Sequence, residues 1–459
     1  MFLLAAPTPA FVAKKRFLIV GGGGREGAFA MRLRDETKLY AVIHHENPLI
    51  TDCVVRSGGE YLVADADNPQ IVLDFAKKHS IDYTFVNADQ PLANGVIDIL
   101  LENNFKAIGG TKEATRIEWD KIYSIEMMQK TCPEFTPFYK IISKADELKD
   151  ALSEFESRGL DIVVKPQGLT GGKGVKVMPE HLPTYQDCID YSLQLLNKDN
   201  SKVLLVERLD GIEFTIMGIT DGKNMVMAPA SYDYPFRNED DTGAGTGGMG
   251  CFTDKGKLPF MSDKDLKDCK YIMQSIIDEM KKNHLFFNGV LNGGFFKTKK
   301  GIKFMEFNGR FGDPEVLNIL SVFEGSFAEL LICLWEGTLS EKTIHFAKKA
   351  SVVKYLVAKE YPDKSSEATV FFVDENALKD MGVRMFPASC IRKDQNKYET
   401  LKRSRAIAFC AVSDSIEEAS SLVNNAIDRH VKSTLEYRKD IGSQKSLEKL
   451  ERIRSELES

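Results

Sequence analysis

Residues Lys303 to Glu315 read KFMEFNGRFGDPE, a stretch that joins a strand-like pattern to closely spaced polar side chains. Residues two apart on a strand point to the same face, so Glu306 and Asn308 are predicted to present their oxygen atoms together. Phe304 and Phe307 are then free for packing. A hard cation such as Mg²⁺ prefers oxygen ligands, which favours a metal and triphosphate site. The alternative is an exposed strand that runs into a glycine turn.

The composition is typical of a multidomain globular protein. The chain has 459 residues, of which 43% are hydrophobic and 28% are charged. This length predicts about three domains. The formal net charge of -6 disfavours a nucleic-acid partner, because nucleic-acid-binding domains usually carry a basic surplus.

The cysteines and the N terminus indicate a cytoplasmic protein. Eight cysteines are scattered without a CxxC pair and seven histidines are dispersed, so we expect reduced thiols and no zinc site. Residues 1–14 are predicted to form an N-terminal tail, because no basic residue precedes their apolar run. No later window has the ~18 apolar residues of a membrane span, so no membrane partner is expected.

The N-terminal region alternates strand-like and helix-like segments. An apolar run, four glycines, Arg25-Glu26 and a helix-like stretch follow one another between Phe17 and Arg34. The later units are a helix at Ile71 to His79, a strand at Tyr83 to Val86, a helix at Val96 to Glu102 and a strand at Ala107 to Ile108. Such alternation predicts an open parallel sheet with helices on both faces.

The glycine turn of this region is a candidate anion site. It would lie at the carboxyl end of the first strand, where open α/β sheets bind ligands, and Arg25 could pair with a phosphate or carboxylate. Nicotinamide binding is disfavoured, since a GxGxxG pattern counted from Gly21 requires glycine at position 26, where Glu26 stands. A tight turn without a ligand is the alternative.

A second glycine-rich loop lies in a predicted hairpin between Leu160 and Met178. A long helix is predicted before it, from Lys112 to Lys130. The loop is not a Walker A motif, because the spacing fails and a strand follows it. Bare amides and point charges there could grip phosphate, the alternative being a flexible surface hairpin. The candidate groups are Gly168, Gly171, Gly172 and Gly174, with Lys165 and Lys173.

Two further segments carry weaker signals. The backbone of Val206 to Leu209 could meet an adenine edge, and Glu213 could accept from ribose hydroxyls. The run from Asp241 to Gly250, DTGAGTGGMG, is predicted to be a loop with a ligand or lid role, because it has little apolar content.

Taken in order, these segments resemble the ATP-grasp superfamily and, within it, the phosphoribosylamine–glycine ligase family. GGGGREGA resembles that family's GSGGREHA, VVKPQGLTGGKGV resembles VVKADGLAAGKGV, and DTGAGTGGMG resembles DTGPNTGGMG. TKEATRIEWDK resembles TKEAAxLExSK, YRKDIG resembles the closing YRxDIG, and EFNGRFGDPE differs from EFNCRFGDPE at one position. The resemblance covers nearly the whole chain after residue 15.

The resemblance implies an α/β and α+β multidomain fold. The expected parts are the N-terminal tail, an N-terminal α/β substrate domain at 15–117, an ATP-grasp domain at 118–345 with a lid at about 137–211, and an α+β C-terminal domain at 346–459. The implied reaction joins glycine to 5-phosphoribosylamine with ATP and Mg²⁺ or Mn²⁺, in purine biosynthesis. We expect small-molecule substrates and a monomer or weak dimer.

The resemblance also assigns roles to individual residues. Glu306 and Asn308 would bind the metal, and Lys165 and Arg310 would serve the phosphoryl transfer. The implied ATP-binding residues are Lys121, Lys165, Gly168, Gly171, Gly172, Lys173, Gly174, Glu207, Leu209 and Glu213. The implied substrate-binding residues are Gly23, Gly24, Arg25, Glu26, Asp89, Pro91, Asp233, Thr246, Gly247, Gly248, Met249, Arg310 and Asp313.

The sequence departs from the family pattern on the acceptor side. Gly27 replaces a histidine, Asn87 to Asp89 replace Gly-Pro-Glu, and Tyr234 to Phe236 replace His-Lys-Arg, so Arg237 could supply a lost phosphate contact. Val206 replaces the first of two hinge glutamates. The alternatives are a related ligase that uses another acceptor amine and a nucleotide-binding protein without turnover. The C-terminal region is predicted to end in a solvated charged helix at Ser443 to Glu458.

Overall fold

The N-terminal segment forms a parallel α/β layer. The computed structural model describes residues 14–168, 174–198, 202–342, 344–362, 367–401 and 404–459. The strands of this layer pair in the order β3-β2-β1-β4-β5, all in parallel. The elements are β1 (Arg16–Val20), α1 (Gly24–Leu33), β2 (Lys38–Ile43), α2 (Pro48–Ser57), β3 (Tyr61–Val63), α3 (Pro69–His79), β4 (Tyr83–Val86), α4 (Asp89–Ala93), α5 (Val96–Glu102) and β5 (Lys106–Gly110).

This layer confirms the predicted open sheet and places its ligand edge. Strands β1 and β4 are mainly apolar and, apart from the exposed Arg16, buried on both faces, as a sheet covered by helices requires. The chain leaves β1 toward β2 on one side, whereas β4 and β5 lie on the other, so the strand order reverses at β1. The glycine turn between β1 and α1 therefore lies at the switch point, where such sheets bind ligands.

The central segment contains a separate four-stranded sheet, in the region predicted to be the lid, and part of a large mixed sheet. Its elements are α6 (Arg116–Trp119), α7 (Lys121–Thr131), β6 (Tyr139–Ile142), α8 (Glu147–Ser157), β7 (Ile162–Pro166), β8 (Lys176–Val177), α9 (Tyr185–Leu196), β9 (Val203–Glu207), β10 (Ile212–Thr220), β11 (Met225–Met227), β12 (Ser231–Asp233), β13 (Phe236–Asn238), β14 (Thr242–Gly245), β15 (Gly250–Asp254), α10 (Asp263–Lys282), β16 (Phe287–Thr298) and β17 (Gly301–Asn308). The lid sheet has the order β6-β9-β7-β8 and its own core with α8 and α9, including Leu152, Phe155 and Val164.

Two central elements differ from the sequence predictions. The predicted long helix from Lys112 to Lys130 is two helices, because Asp120 is extended and its side chain caps α7 by accepting from the Tyr123 backbone N–H. The run from Asp241 to Gly250 is not loop throughout, since β14 pairs with β13 as a hairpin. Polar, glycine-rich strands of this kind have little alternation of apolar and polar residues, so the hydrophobic pattern of the sequence did not predict them.

The C-terminal segment extends the large sheet and adds a small one. Its elements, with the helices that lead into it, are α11 (Glu315–Val322), β18 (Phe323–Glu324), α12 (Phe327–Glu336), β19 (His345–Phe346), β20 (Ala350–Leu356), β21 (Val370–Val373), α13 (Glu375–Asp380), β22 (Arg384–Pro387), β23 (Cys390–Asp394), β24 (Lys397–Thr400), β25 (Ile407–Ser413), α14 (Ile416–His430), β26 (Val431–Lys432) and α15 (Gln444–Glu458). The second sheet has the order β23-β24-β21-β26.

The segments share one sheet of 14 strands, in which β16 meets β5 and β15 meets β20. The exact domain boundaries stay predictions. The closing helix was predicted to be a solvated amphipathic end, and α15 buries Leu450 on one face while Lys449 pairs with Asp241 at 2.7 Å. Among the described residues, none of the helices has both the length and the apolar character needed to span a membrane.

Candidate active site

The metal-ligand pair of the sequence prediction lies on β17, next to a bulge. In a regular strand Phe304, Glu306 and Asn308 would share one face. Met305 has no pairing partner on β16 and therefore forms the bulge. The alternation of strand faces shifts by one residue between Phe304 and Glu306. As a result Phe304 and Phe307 are both buried in the core, whereas Glu306 and Asn308 line a cavity.

This cavity is rich in carboxylates. It encloses about 150 Å³ and lies between β10, β12, β17 and the turn that precedes α11. The polar side chains on its wall are Glu213, Thr215, Asp233, Asn292, Glu306, Asn308, Arg310, Asp313 and Glu315. Five of them are carboxylates and one is a cation, so the carboxylates repel one another. A cationic ligand would relieve that repulsion.

The electrostatics of the cavity fit a bound cation. Burial and then the charge of Glu306 together raise the pKa of Glu213 to about 7, against the opposing effect of Lys165. Burial also raises the pKa of Asp233 well above its usual value, with Glu315 as the next cause. Asp233 Oδ1 and Asn292 Oδ1 are buried without a hydrogen-bond partner among the described residues. Orphaned oxygens in an acidic cavity are suited to a hard cation or an ammonium group.

Two lysines extend the site toward the lid. Lys121, on the first turn of α7, donates from Nζ to the Gly168 carbonyl oxygen at 2.7 Å. Lys165, on β7, donates from Nζ to the Met305 carbonyl oxygen at 3.5 Å. Burial lowers the pKa of both amines and Glu306 opposes that effect. Both lysines and Glu306 line a narrow second cavity.

The second cavity has an apolar wall beside its charged groups. Its apolar lining comprises Ile117, Ile125, Leu204, Val206, Phe304 and Phe307. Lysines together with apolar side chains suit a ligand that has a phosphate chain and a flat base. Glu207 and Leu209 follow this wall along the chain but do not line either cavity. Their assignment to ATP binding stays a prediction.

Arg310 lies in a buried network of charges that joins the N-terminal layer to β17. Its guanidinium donates to Asp89 Oδ1 at 2.6 Å and pairs with Glu118 Oε1 at 3.1 Å. Arg25 lies 3.6 Å from the same Asp89 oxygen. Burial favours a higher pKa for Asp89, but Arg310 and Arg25 outweigh it and hold the pKa below its usual value. The predicted residues Arg25, Asp89 and Arg310 are therefore brought together.

The glycine turn after β1 is held by its own side chains. Glu26 accepts from the Gly23 backbone N–H and from Arg25 Nε, both at 2.8 Å. Gly24 lies so close to Tyr355 that a Cβ atom there would be 2.5 Å from the phenol oxygen. Glu26 is thus engaged in shaping the turn, and contact of these residues with a substrate stays a prediction.

The remaining predicted residues occupy different surroundings. Gly247 lines the acidic cavity. Gly248 has a left-handed φ of 96° and lies close to the Asp233 carboxylate. Thr246 Oγ1 donates to the Pro235 carbonyl oxygen. The side chains of Pro91 and Met249 are buried, so their assignment as substrate contacts stays a prediction. The predicted loop residues Gly171, Gly172 and Lys173 lie outside the described residues, and Gly168 and Gly174 flank that gap.

The acceptor-side departures have structural partners. Tyr234 is buried against the Arg438 guanidinium and hydrogen-bonds to Ser446 on α15. Arg237 pairs with Glu436 at 2.6 Å and donates to the Tyr361 carbonyl oxygen. The hypothesis that Arg237 replaces a lost phosphate contact therefore has no support here, because its charge is already paired within the protein.

Two more departures lie next to the network around Arg310. Asn87 Oδ1 accepts from the Phe311 backbone N–H at 2.9 Å, which fixes the turn after β17. Gly27 on α1 faces Leu49, and a Cβ atom there would be 3.2 Å from that side chain. Both positions therefore serve packing between neighbouring elements.

Sequence reasoning missed several residues that line or support the site. Glu118 and Glu315 lie inside the segments that were quoted as motifs, so a residue-by-residue reading of those segments could have found them. Asn292 lies on β16 opposite Asn308. Tyr355 and Arg405 come from the C-terminal segment, and no local pattern connects them to Asp313.

Comparison with known proteins supports the same grouping. The family models of phosphoribosylglycinamide synthetase match the chain in three parts, the N domain at residues 15–118, the ATP-grasp (A) domain at 119–316 and the C domain at 351–444. The chain is 37% identical to the phosphoribosylamine–glycine ligase of Pyrococcus furiosus, over 96% of this chain and 98% of the relative. It is 36% identical to that of Methanothermobacter thermautotrophicus, over 95% and 98%.

Solved structures share the fold. The phosphoribosylamine–glycine ligase of Thermotoga maritima matches with a TM-score of 0.75 at 22% identity, covering 93% of this chain and all of that chain. A biotin carboxylase from Campylobacter jejuni, solved with a β,γ-ATP compound, has a TM-score of 0.69 at 14% identity, covering 95% of each chain. The family models and the relatives extend along nearly the whole chain, which therefore belongs to the phosphoribosylglycinamide synthetase family.

Proposed function

We propose that this chain uses ATP to join glycine to 5-phosphoribosylamine, giving glycinamide ribonucleotide, ADP and phosphate. The observation that carries the proposal is the acidic cavity on β17, in which Glu306, Asn308 and Arg310 lie beside Lys165 of the lid. The similarity to phosphoribosylamine–glycine ligases over nearly the full chain supports the choice of substrates.

The nucleotide would lie across the narrow cavity and the acidic cavity. Lys121 and Lys165 would contact its phosphates, and the loop bounded by Gly168 and Gly174 would cover them. The apolar wall that includes Val206 would take the base. Glu213 lies beside Glu306 and Lys165, so it would act near the phosphate end rather than only at the ribose.

Glu306 and Asn308 would hold Mg²⁺ or Mn²⁺, with Glu213 and Glu315 close by. The residues fit the ion, because they are oxygen donors in a cavity with surplus negative charge and orphaned oxygens. The ion would neutralise phosphate charge during the transfer.

In the first step an oxygen of the glycine carboxylate attacks the γ-phosphorus atom, the bond to the ADP oxygen breaks, and glycyl phosphate forms. Arg310 would stabilise the charge that develops on the transferring group. Its orientation is fixed by Asp89 and Glu118, which accept from its guanidinium. Asp233 and Asp313 would face the glycine ammonium group, because both line the acidic cavity.

In the second step the amine of phosphoribosylamine attacks the glycyl carbonyl carbon and phosphate leaves. No protein nucleophile is required, so positioning would be the main contribution of the protein. The acceptor would approach from the β1–α1 turn, where Arg25 and Asp89 adjoin Arg310. Closure of the lid would keep water from the acyl phosphate.

The test is ADP release by purified protein with ATP, Mg²⁺ and glycine, with and without freshly made phosphoribosylamine. The proposal predicts release that requires both substrates, and glycinamide ribonucleotide in the mass spectrum of the mixture. ATP binding without turnover on this pair would contradict the proposed substrates. A cytoplasmic location and a monomeric or weakly dimeric state stay predictions.

A further inference from the structure

The C-terminal segment inserts two side chains between the parts of the candidate active site. Arg405 precedes β25, and its Nη1 donates to the carbonyl oxygens of Gly247 at 2.5 Å, Gly248 at 2.9 Å and Asp313 at 2.9 Å. Its Nη2 lies 3.2 Å from Asp313 Oδ1. One guanidinium therefore ties the turn before β15 to the turn before α11.

Tyr355 on β20 completes this arrangement. Its hydroxyl donates to the same Asp313 Oδ1 at 2.8 Å, and its ring lies 4.4 Å below the Arg405 guanidinium carbon. The Tyr355 side chain is fully buried. Its hydroxyl oxygen fits against Gly24 of the β1–α1 turn because glycine has no Cβ atom. A buried charge-assisted bond and a stacked ring together fix the orientation of a carboxylate more firmly than either alone.

The two acids that these contacts control both line the acidic cavity. Asp313 is held directly through one carboxylate oxygen, which is contacted by both the Tyr355 hydroxyl and the Arg405 guanidinium. Asp233 is approached by Gly248, where a Cβ atom would be 2.7 Å from Asp233 Oδ1. Arg405 holds the carbonyl oxygen of that same glycine. Movement of this guanidinium would therefore shift both acids relative to each other.

We propose that Arg405 and Tyr355 are positioning residues that set the spacing of Asp313 and Asp233 for the ammonium group of the amino-acid substrate. The proposal rests on the proposed function and adds the C-terminal segment to the amino-acid site. Arg405 acts through Asp313 and the Gly247–Gly248 turn and does not itself touch the reacting atoms. Neither residue contacts the lysines that face the nucleotide phosphates.

The test compares steady-state constants of Arg405→Lys and Tyr355→Phe with those of the unmodified full chain. Lysine keeps the charge but lacks the planar fork that reaches four oxygens, and phenylalanine keeps the ring but lacks the hydroxyl. Loss of a hydrogen bond to a charged group predicts a rise of about 10-fold or more in the KM for glycine. The KM for ATP should stay within about 2-fold, because the lysine contacts are unchanged.

Arg392→Gln is the matched control. Arg392 is also an arginine of the C-terminal segment that crosses to another part of the chain, pairing with Asp52 at 2.8 Å. It does not line the acidic cavity or contact Asp313. Its loss should lower the melting temperature without changing the KM for glycine. A purely structural role for Arg405 would make the two arginine variants behave alike.

Gly24→Ala tests the same geometry from the opposite side. The added methyl group would displace the Tyr355 hydroxyl, so the KM for glycine should rise as in Tyr355→Phe, and combining the two changes should add little. If the unmodified chain ligates glycine and Arg405→Lys leaves the KM for glycine unchanged, the positioning proposal fails. If the unmodified chain ligates no glycine at all, the proposed function fails instead.

Discussion

At the residue scale, Glu306 carries the prediction that is most specific to the acidic cavity. Glu306→Ala should lower ADP formation by at least about 100-fold, because an oxygen ligand for the metal is lost where phosphate charge develops. The melting temperature should not fall, since removing one carboxylate relieves repulsion with Glu213. Steady-state ADP release and thermal unfolding measure the two effects.

Lys303→Ala is the control on the same strand. Lys303 donates to the Glu134 carbonyl oxygen on the outer side and lies outside both cavities. Its removal should leave ADP formation near the unmodified rate. Full turnover by Glu306→Ala, or an equal loss of ADP formation in both variants, would show that Glu306 is not part of the site.

Residue spacing by itself predicts members of this site only where they are close together in the chain. Glu306, Asn308 and Arg310 are found because strand spacing brings them together within one short stretch. Tyr355 and Arg405 reach Asp313 only through the pairing of β20 with β25, and single-sequence spacing carries no information on that contact.

At the element scale, the break between α6 and α7 positions Lys121. Asp120 accepts from the Tyr123 backbone N–H at the start of α7 and from Arg116 on α6. Asp120→Ala should lower the free energy of unfolding by about 1–2 kcal/mol, the usual effect of losing a helix cap. It should also raise the KM for ATP several-fold, because the first turn of α7 carries Lys121.

Asn68→Ala controls for the loss of a cap alone. Asn68 caps α3 by accepting from the Gln70 backbone N–H at 3.0 Å, far along the chain from the lysines. A similar loss of stability with an unchanged KM for ATP is expected. If denaturant unfolding shows equal losses and both variants change the KM for ATP equally, the positioning role of the break is wrong.

Elements with strong patterns are the ones that the sequence predicts well. The predicted alternation is confirmed at β1, α1, α3, β4, α5 and β5, whereas β2, α2 and β3 were not singled out in the sequence. The broken helix was missed because an internal Asp, unlike Pro or Gly, is compatible with a continuing helix. The hairpin of β13 and β14 was missed because it is held by the charges of Arg438, Lys445 and Lys449 rather than by apolar packing.

At the scale of the whole molecule, stability should depend on pH through Lys354 on β20. This buried amine donates to Ser420, Asn424 and the Lys439 carbonyl oxygen. Burial lowers its pKa from 10.5 to about 7, against the opposing effect of Asp440. Between these values the unfolded chain binds more protons, so stability rises with pH across the window and is lost as pH falls through the folded value.

Lys354→Met removes this dependence. The free energy of unfolding of the unmodified chain should increase by about 2–3 kcal/mol more than that of the variant between about pH 7 and pH 9. Denaturant titrations of both chains at a series of pH values give the difference, in which the titration of other groups cancels. Parallel pH profiles would show that Lys354 stays charged in the folded chain.

The central claim is that ATP activates the carboxylate of glycine as an acyl phosphate. The most direct measurement uses glycine labelled with ¹⁸O in its carboxylate, together with ATP, Mg²⁺ and phosphoribosylamine, and determines the label in the released phosphate by mass spectrometry. The account predicts one ¹⁸O atom per phosphate, because the carboxylate oxygen that attacks the γ-phosphorus leaves with it. Phosphate without label, released while product forms, would contradict it.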